Sequence, residues 1–189
     1  MERTVAQTAR KLTYEDLLLF PDDGKRHEII AGEHFVTAAP NLRHQRVLLH
    51  LTRILDDFVE DRGLGRVYFA PVDVLLSQHD IVEPDLLFVS HARAGILTLA
   101  NVRGAPDLAV EVLSPSTRRR DETIKRDAYE RTGICEYWLV DPEAETIKVF
   151  HRDGEDFARP LLYSRHQGDV VTTPLLPGLQ VALAAVFAD

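Results

Sequence analysis

The sequence predicts an α/β protein with a single domain, and three observations lead to that prediction. One segment has clear helical periodicity, several short apolar segments have the composition of strands, and no repeat, low-complexity segment or interdomain linker separates them. A chain of 189 residues buries roughly 70% of its unfolded surface, so one core forms without disulfides or structural metal. We therefore expect one domain over residues 13–189, after a flexible lead-in over residues 1–12.

The first part of this domain is predicted to contain a short helix and a β-hairpin. Thr13 resembles a helix N-cap because the acidic residue Asp16 follows three positions later, and Pro21 stops the apolar run behind it. Residues 27–39 have the pattern of a hairpin, since two apolar segments flank Gly32 and Glu33. A docking helix followed by two paired strands is the expected result.

The clearest helix covers residues 44–61. Its apolar side chains recur at helical spacing on one stripe, and the charged side chains fall outside that stripe. Gly63 and Gly65 are expected to stop the helix. Three extended segments follow it, over residues 66–70, 72–77 and 81–89.

Residues 106–114 are predicted to form a strand with a carboxylate, Glu111, among apolar neighbours. Ser116 or Thr117 can cap a helix over residues 118–131, and Gly133 can end it. The expected elements after that helix are a buried strand, two further antiparallel strands and an apolar tail, over residues 136–140, 146–151, 157–164 and 175–187.

Composition excludes several classes of protein. The single cysteine, Cys135, rules out a disulfide framework and fits a reducing compartment. No apolar stretch approaches the about 20 residues that span a bilayer, and the N-terminal apolar run is too short for a signal peptide. We therefore expect a cytoplasmic protein without a membrane partner. The net charge of −8 gives no general basic surface, so any contact with nucleic acid must rest on local basic patches or bound cations.

Three groups carry candidate chemistry: the Glu83-Pro84-Asp85 segment, Glu111, and Lys125 in the following helix. Carboxylates from neighbouring strands make an all-oxygen site for Mg²⁺ or a similar hard cation, and the backbone carbonyl of Val112 can add a ligand. A nearby lysine can orient a water or stabilise charge on a phosphoryl group. From the residues alone, a metal site and a purely structural role are about equally well supported, because carboxylates on strands are often solvated.

The motifs EPDLLFV, PDLAVEVLSPST and GICEYWLVDP, together with Asp121, Lys125 and Tyr129, resemble the Uma-two family of bacterial endonucleases. This family lies in the PD-(D/E)XK restriction-endonuclease-like superfamily, and the resemblance runs from about Tyr14 to Phe187. It implies an αβββαβ core with a mixed sheet, preceded by a helix and hairpin and followed by additional strands. The order of elements predicted above is the same.

The resemblance also implies site residues. Asp85 and Glu111 match the two acidic motif residues that bind Mg²⁺ or Mn²⁺ in the superfamily. The motif lysine is missing, because position 113 is Leu, and Lys125 in the next helix is the matching candidate. Glu28 in the hairpin is a candidate supporting acid, although a hairpin glutamate is more often solvated.

The remaining candidates concern nucleic acid. The expected phosphate-binding residues are His44 and a basic run of four arginines, Arg118, Arg119, Arg120 and Arg126. The alternative interpretation of this run is a solvated helix face. Asp73 is read as a strand-edge residue, while Tyr129, Tyr137 and Trp138 are expected in the core. The histidines have no paired spacing for zinc.

The leading hypothesis is a Mg²⁺-dependent endonuclease that cleaves DNA, with a homodimer as a possible assembly because a double-strand cut needs two sites. Leu113 and the net charge keep one alternative open, a catalytically impaired nucleic-acid-binding or interaction module on the same fold. A hydrolase of another phosphate ester would use the same carboxylates.

Overall fold

Two β-sheets form the framework of the protein in the computed structural model, which describes residues 10–188. The helices are α1 Tyr14–Leu17, α2 Leu42–Asp61, α3 Arg118–Arg120, α4 Arg126–Thr132 and α5 Leu183–Val186. The strands are β1 Arg26–Ile30, β2 Glu33–Thr37, β3 Gly65–Phe69, β4 Val74–Ser77, β5 Asp80–Val82, β6 Leu86–Ser90, β7 Val102–Arg103, β8 Leu108–Val112, β9 Glu136–Asp141, β10 Thr146–Asp153, β11 Asp156–Phe157, β12 Leu161–Ser164, β13 Val170–Val171 and β14 Val181–Ala182.

The larger sheet has the strand order β11-β10-β9-β8-β6-β3, and β12 also pairs with β10. Only β8 and β9 are parallel in it, because the α3–α4 segment makes the crossover between them. A second sheet has the order β2-β1-β5-β4-β7. The elements α2, β3, β6, β8, α3–α4 and β9 give the αβββαβ order, so the predicted core and hairpin are confirmed. Additional C-terminal strands are present as well, but the single strand expected over residues 157–164 is divided into β11 and β12 around Pro160.

Each face of the larger sheet carries its own core. Leu108, Val110 and Val112 of β8 face α2 and the C-terminal segment, which supplies Leu176, Val181 and Val186 among others. Ala109 and Leu113 face the opposite side, with Tyr129 and Tyr137. Successive residues of β8 therefore alternate between the two cores, and the apolar tail packs on one of them.

Residues 81–89 were expected as one strand, and that prediction is wrong. The segment breaks at Glu83-Pro84-Asp85, and its two halves, β5 and β6, belong to different sheets. Pro84 has no N–H to give to a sheet, which favours a break there. The break matters for function, since it places Asp85 at the entrance of β6 instead of within a continuous strand.

The ends of the helices differ in detail from the sequence prediction. Thr13 forms the expected capping box with Asp16, and Gly133 ends α4 in a left-handed conformation with φ of 89°. The crossover helix has Thr117 at its N-cap, one of the two expected positions, but the Thr117 side chain makes no capping hydrogen bond. Ser114 Oγ instead accepts the backbone N–H of Thr117 at 3.3 Å.

Of the lead-in predicted over residues 1–12, residues 1–9 lie outside the described residues, while the backbone N–H of Leu12 donates to Gly32 O at 3.0 Å. Within residues 10–188, no helix is long and apolar enough to cross a membrane.

Candidate active site

The four predicted catalytic residues converge on one cavity of about 210 Å³. Glu28 comes from β1, Asp85 from the turn into β6, and Glu111 from the last part of β8. Lys125 ends a π-helical turn, Asp121–Lys125, that joins α3 to α4. All four residues are at most 3% exposed. Sequence separation between these residues reaches 97 positions, so the fold alone brings them together.

Lys125 links two of the carboxylates. Its Nζ lies 2.5 Å from Glu111 Oε1 and 2.7 Å from Glu28 Oε1. Burial by itself lowers the pKa of the Lys125 ammonium, but the carboxylates of Glu111, Glu28 and Asp121 outweigh that effect and raise it above its ordinary value. The lysine is therefore a fixed positive charge and not a proton acceptor at neutral pH.

The π-helical turn explains how a lysine from this helix reaches the site. A π-helical turn inserted into an α-helix rotates the direction in which the following side chains point. Such turns are frequent at functional sites. Both ends of this turn, Asp121 and Lys125, are buried. The two side chains at the ends of the turn are therefore directed into the protein, and that of Lys125 reaches Glu28 and Glu111.

Asp85 is held by three donors. His44 Nε2 and the backbone N–H of Val112 donate to Oδ2, at 3.1 and 2.9 Å, and Arg26 Nη1 donates to Oδ1 at 2.7 Å. Burial raises the pKa of this carboxyl, but the hydrogen bond and charge of His44, the charge of Arg26 and the Val112 N–H lower it to about 2. Asp85 is therefore ionised at neutral pH. His44, expected at phosphate, is buried against this carboxylate.

Tyr129 adds a contact that the sequence analysis did not assign. Its hydroxyl donates to Glu111 Oε1 at 2.8 Å. The residue also lies in the core, as predicted, together with Tyr137 and Trp138. Tyr129 follows Lys125 by four positions, and that spacing places two helical residues on one face. The spacing was the available signal for its contact with the site.

The basic run does not form one continuous face. Arg120 turns into the cavity, where its Nη2 lies 3.3 Å from Glu28 Oε2 and donates to Thr37 Oγ1 at 2.5 Å. Arg118 pairs with Asp141 Oδ2 at 2.7 Å. Arg126 pairs with its neighbour Asp127 at 2.5 Å, and Arg119 is exposed. The run therefore divides into an interior cation, paired surface cations and one exposed arginine.

The cavity carries an excess of negative charge. Five carboxyl groups and three cationic side chains line it, which leaves two formal negative charges in excess: Glu28, Glu83, Asp85, Glu111 and Asp121 against Arg26, Arg120 and Lys125. Burial, followed by nearby carboxylates, raises the pKa of Glu83 to about 7. Burial also raises the pKa of Asp121, to about 6, and that of Glu111. Burial is the largest cause of each rise, and neighbouring carboxylates add to it.

The donor atoms fit a hard divalent cation. A carboxylate offers about four lone-pair positions. Asp85 Oδ1 accepts one hydrogen bond and keeps one position open, while Glu111 Oε2 accepts none within residues 10–188. Glu83 Oε2 is buried without a partner among the described residues. In this part of the chain no three Asp, Glu, His or Cys side chains are already gathered as a ligand set. The fit rests on two carboxylates and the excess charge.

Asp73 lies outside this cavity. It lines a neighbouring cavity of about 450 Å³, and Glu83 belongs to the lining of both. Burial raises the pKa of the Asp73 carboxyl, and a hydrogen bond from Tyr14 lowers it. The negative charge of Asp73 contributes to the raised pKa of Glu83. Asp73 therefore acts on the site electrostatically, although it lies outside the cavity.

A solved structure shares the fold of this chain. The crystal structure of a putative nuclease belonging to DUF820 from Anabaena variabilis ATCC 29413 has a TM-score of 0.79 and 18% sequence identity, and the match covers 94% of this chain and 98% of that one. The similarity shows a shared fold. No curated protein matches the chain. A family model, Uma2, described as a putative restriction endonuclease, matches residues 13–184. Because that match covers most of the chain, the protein belongs to the Uma2 family, the Uma-two family of the sequence analysis.

Proposed function

We propose that the protein is a metal-dependent nuclease that hydrolyses phosphodiester bonds in DNA. The observation that supports this most strongly is the position of Lys125, whose Nζ lies 2.5 Å from Glu111 Oε1 although it comes from a helix. The strand position that carries the lysine in the PD-(D/E)XK motif is Leu113 here. Lys125 therefore restores the missing charge beside the second acidic residue of the motif.

Asp85 and Glu111 would hold Mg²⁺ or Mn²⁺, with the carbonyl of Val112 as a third oxygen ligand. Such ions prefer carboxylate, carbonyl and water oxygens. When bound, the ion supplies charge stabilisation at a phosphoryl oxygen and lowers the pKa of a water. With all five carboxyl groups ionised, the state that a bound cation favours, the cavity has two negative charges in excess, which matches the charge of one such ion.

The side chains of the protein have separate tasks in this proposal. Lys125 stays protonated and places positive charge beside the attacking water or a non-bridging phosphate oxygen. Glu28 holds that ammonium at 2.7 Å and is itself paired with Arg120. Water adds its oxygen to phosphorus and releases one proton to the solvent, while the bond from phosphorus to the leaving oxygen breaks and that oxygen takes up one proton from the solvent. Lys125 acts as a cation in this step and accepts no proton.

DNA is the proposed substrate, and the exposed Arg119 is the proposed contact to its backbone outside the cavity. We also infer a homodimer, since cleavage of both strands of a duplex needs two sites. Sedimentation equilibrium checks the assembly, and a monomer at the concentration that cleaves duplex DNA contradicts it.

Two isosteric variants test the function. In Asp85→Asn the amide oxygen can keep its bonds from His44 and the Val112 N–H, and in Glu111→Gln it can keep those from Lys125 and Tyr129. Each variant should therefore fold like the wild type while losing cleavage. The assay incubates supercoiled plasmid, circular single-stranded DNA and RNA with Mg²⁺ or Mn²⁺, with EDTA as the metal-free control.

Cutting of circular DNA that requires the ion and is lost in both variants supports the proposal. Full activity in either folded variant contradicts the site, and cleavage of RNA alone contradicts the substrate. Leu113 and the double pairing of Lys125 favour a second candidate, a nucleic-acid-binding module without turnover. That candidate predicts DNA binding by the wild type without cleavage under any of these conditions.

A further inference from the structure

Arg26 is the least buried cation in the cavity. It is the first residue of β1, and its side chain is 20% exposed, compared with 12% for Arg120 and 2% for Lys125. A guanidinium has five N–H donors. Within residues 10–188 the structure gives the Arg26 guanidinium one hydrogen bond, to Asp85 Oδ1 at 2.7 Å. Most of its donors are therefore available at the mouth of the site.

The other cations of the cavity are already committed. Lys125 is enclosed between Glu28 and Glu111, and Arg120 is paired with Glu28 and bonded to Thr37. An anion that enters this negatively charged cavity therefore meets Arg26 before any other side-chain cation. A planar guanidinium can hold two phosphate oxygens at once, which an ammonium cannot.

We propose that Arg26 binds the phosphate group that is cleaved, so that its guanidinium moves from Asp85 to the non-bridging oxygens of the substrate. The proposal rests on the nuclease function above and adds a substrate-binding residue to it. Asp85 does not need Arg26 for its orientation, because His44 and the Val112 N–H both hold the other oxygen, Oδ2. The guanidinium is thus free to leave without disordering the carboxylate.

A structural role for Arg26 makes the opposite prediction about metal. If Arg26 only orients Asp85, its removal weakens the binding of a cation at that carboxylate. If Arg26 serves the substrate, its removal takes a competing positive charge away from Asp85 Oδ1, and the affinity for Mn²⁺ is kept or increased. Electron paramagnetic resonance titration of Mn²⁺ into the DNA-free protein separates these two roles without any measurement of activity.

The experiment compares Arg26→Gln and Arg26→Lys with Lys25→Gln. The control removes a positive charge from the adjacent residue, whose ammonium is exposed and paired with Asp23. DNA binding is measured by anisotropy with a fluorescein-labelled duplex of about 20 base pairs, between about 50 and 200 mM salt. This measurement uses the inactive Glu111→Gln background, so that cleavage does not interfere.

Arg26→Gln should reduce the slope of log affinity against log salt by about one, as expected for one lost phosphate contact. In the otherwise wild-type enzyme it should lower the single-turnover cleavage rate about 10²- to 10³-fold, the usual effect of removing one donor to a developing negative charge. Arg26→Lys should keep the salt slope but not the rate, because an ammonium retains the charge and loses the paired geometry. Lys25→Gln should match the wild type in rate.

An unchanged salt slope and rate in Arg26→Gln overturns the inference while wild-type cleavage leaves the nuclease function standing. A loss of Mn²⁺ affinity of more than about tenfold in Arg26→Gln assigns Arg26 to the orientation of Asp85 and also overturns it. If the wild type itself cuts no nucleic acid, the proposed function fails, and the inference fails with it.

Discussion

Removal of the buried ammonium of Lys125 is the perturbation that examines this site most directly. The ammonium is the shared partner of Glu28 and Glu111, with the two Nζ–Oε1 distances at 2.7 and 2.5 Å. Lys125→Met keeps a long flexible side chain in the same space and deletes the charge. The variant then holds two buried carboxyl groups with less compensating charge.

The expected loss of stability follows from the loss of this shared cation. Removing one partner of a buried ion pair destabilises a protein by about 3–5 kcal/mol, because the other charge stays buried. Arg120 Nη2 still lies 3.3 Å from Glu28 Oε2 and compensates part of the charge of Glu28. Most of the destabilisation is therefore expected to come from Glu111. For a domain of this size the corresponding fall in melting temperature is about 6–20 °C. A domain of ordinary stability survives a loss of this size with little margin.

The loss should depend on pH, with a defined sign. In wild type, burial raises the pKa of Glu28, but Lys125 and Arg120 outweigh it and hold the pKa below its usual value. Ionised Glu28 then stabilises the wild type at neutral pH, and this contribution is lost as the pH falls through the folded pKa. Without Lys125, burial raises the pKa of both carboxyls, and protonation stabilises the variant instead. The difference in free energy of unfolding between variant and wild type should therefore be larger at pH 8 and narrow as the pH falls to about 5.

Differential scanning calorimetry at pH 8 and at about pH 5 measures this gap. Lys25→Met is the matched control, because its ammonium is exposed and its loss should change stability by no more than about 0.5 kcal/mol. A Lys125→Met protein that melts with the wild type at pH 8 refutes the reasoning, since Glu28 and Glu111 would then be stable in the interior without their shared cation. A difference in stability between Lys125→Met and wild type that is larger at acid pH than at pH 8 also refutes the reasoning.

Three further outcomes follow from the contacts. Tyr129→Phe deletes the hydrogen bond to Glu111 and should lower the free energy of unfolding by about 1–3 kcal/mol, measured by urea denaturation. Arg119→Gln should lower the salt slope of DNA binding by about one in an anisotropy titration and leave stability within about 0.5 kcal/mol. Leu113→Lys combined with Lys125→Met should recover part of the plasmid cleavage lost in Lys125→Met, because position 113 lies on the Glu111 face of β8; no recovery contradicts that placement.

Much of the fold could be predicted because its elements have strong local signals. The helix over Leu42–Asp61 has a complete apolar stripe, and Gly133 has the left-handed conformation that ends a helix. The break at Pro84 was missed because periodicity marks apolar faces and does not show which sheet each half of an apolar segment joins. Sheet membership is decided by pairing partners far away in the sequence, such as Ile29, which pairs with Ile81.

The sequence predicted which residues form the site, but not which contacts they make with one another. Residue types and motif spacing were sufficient to select Glu28, Asp85, Glu111 and Lys125, all of which line the cavity. Arg26 carried no such signal, since an arginine beside a hairpin usually remains in solvent and only the fold brings it to Asp85. The basic run was misread in part for the same reason: the sequence gives the charges but not the direction in which Arg120 points.

The position of the lysine also explains why the hairpin contributes an acid. A lysine at position 113 would extend from the same strand as Glu111, and the strand itself would hold it beside that carboxylate. Lys125 comes from a helix and brings a long side chain into a buried space, where a single carboxylate leaves its ammonium free to shift. Glu28 supplies the second attachment at 2.7 Å, and the backbone N–H of Glu83 fixes the same oxygen at 2.9 Å. Glu28 on the facing hairpin thus holds the ammonium from the side opposite the strand carboxylate, which is the position that a lysine borne by the helix needs in order to stay beside Glu111.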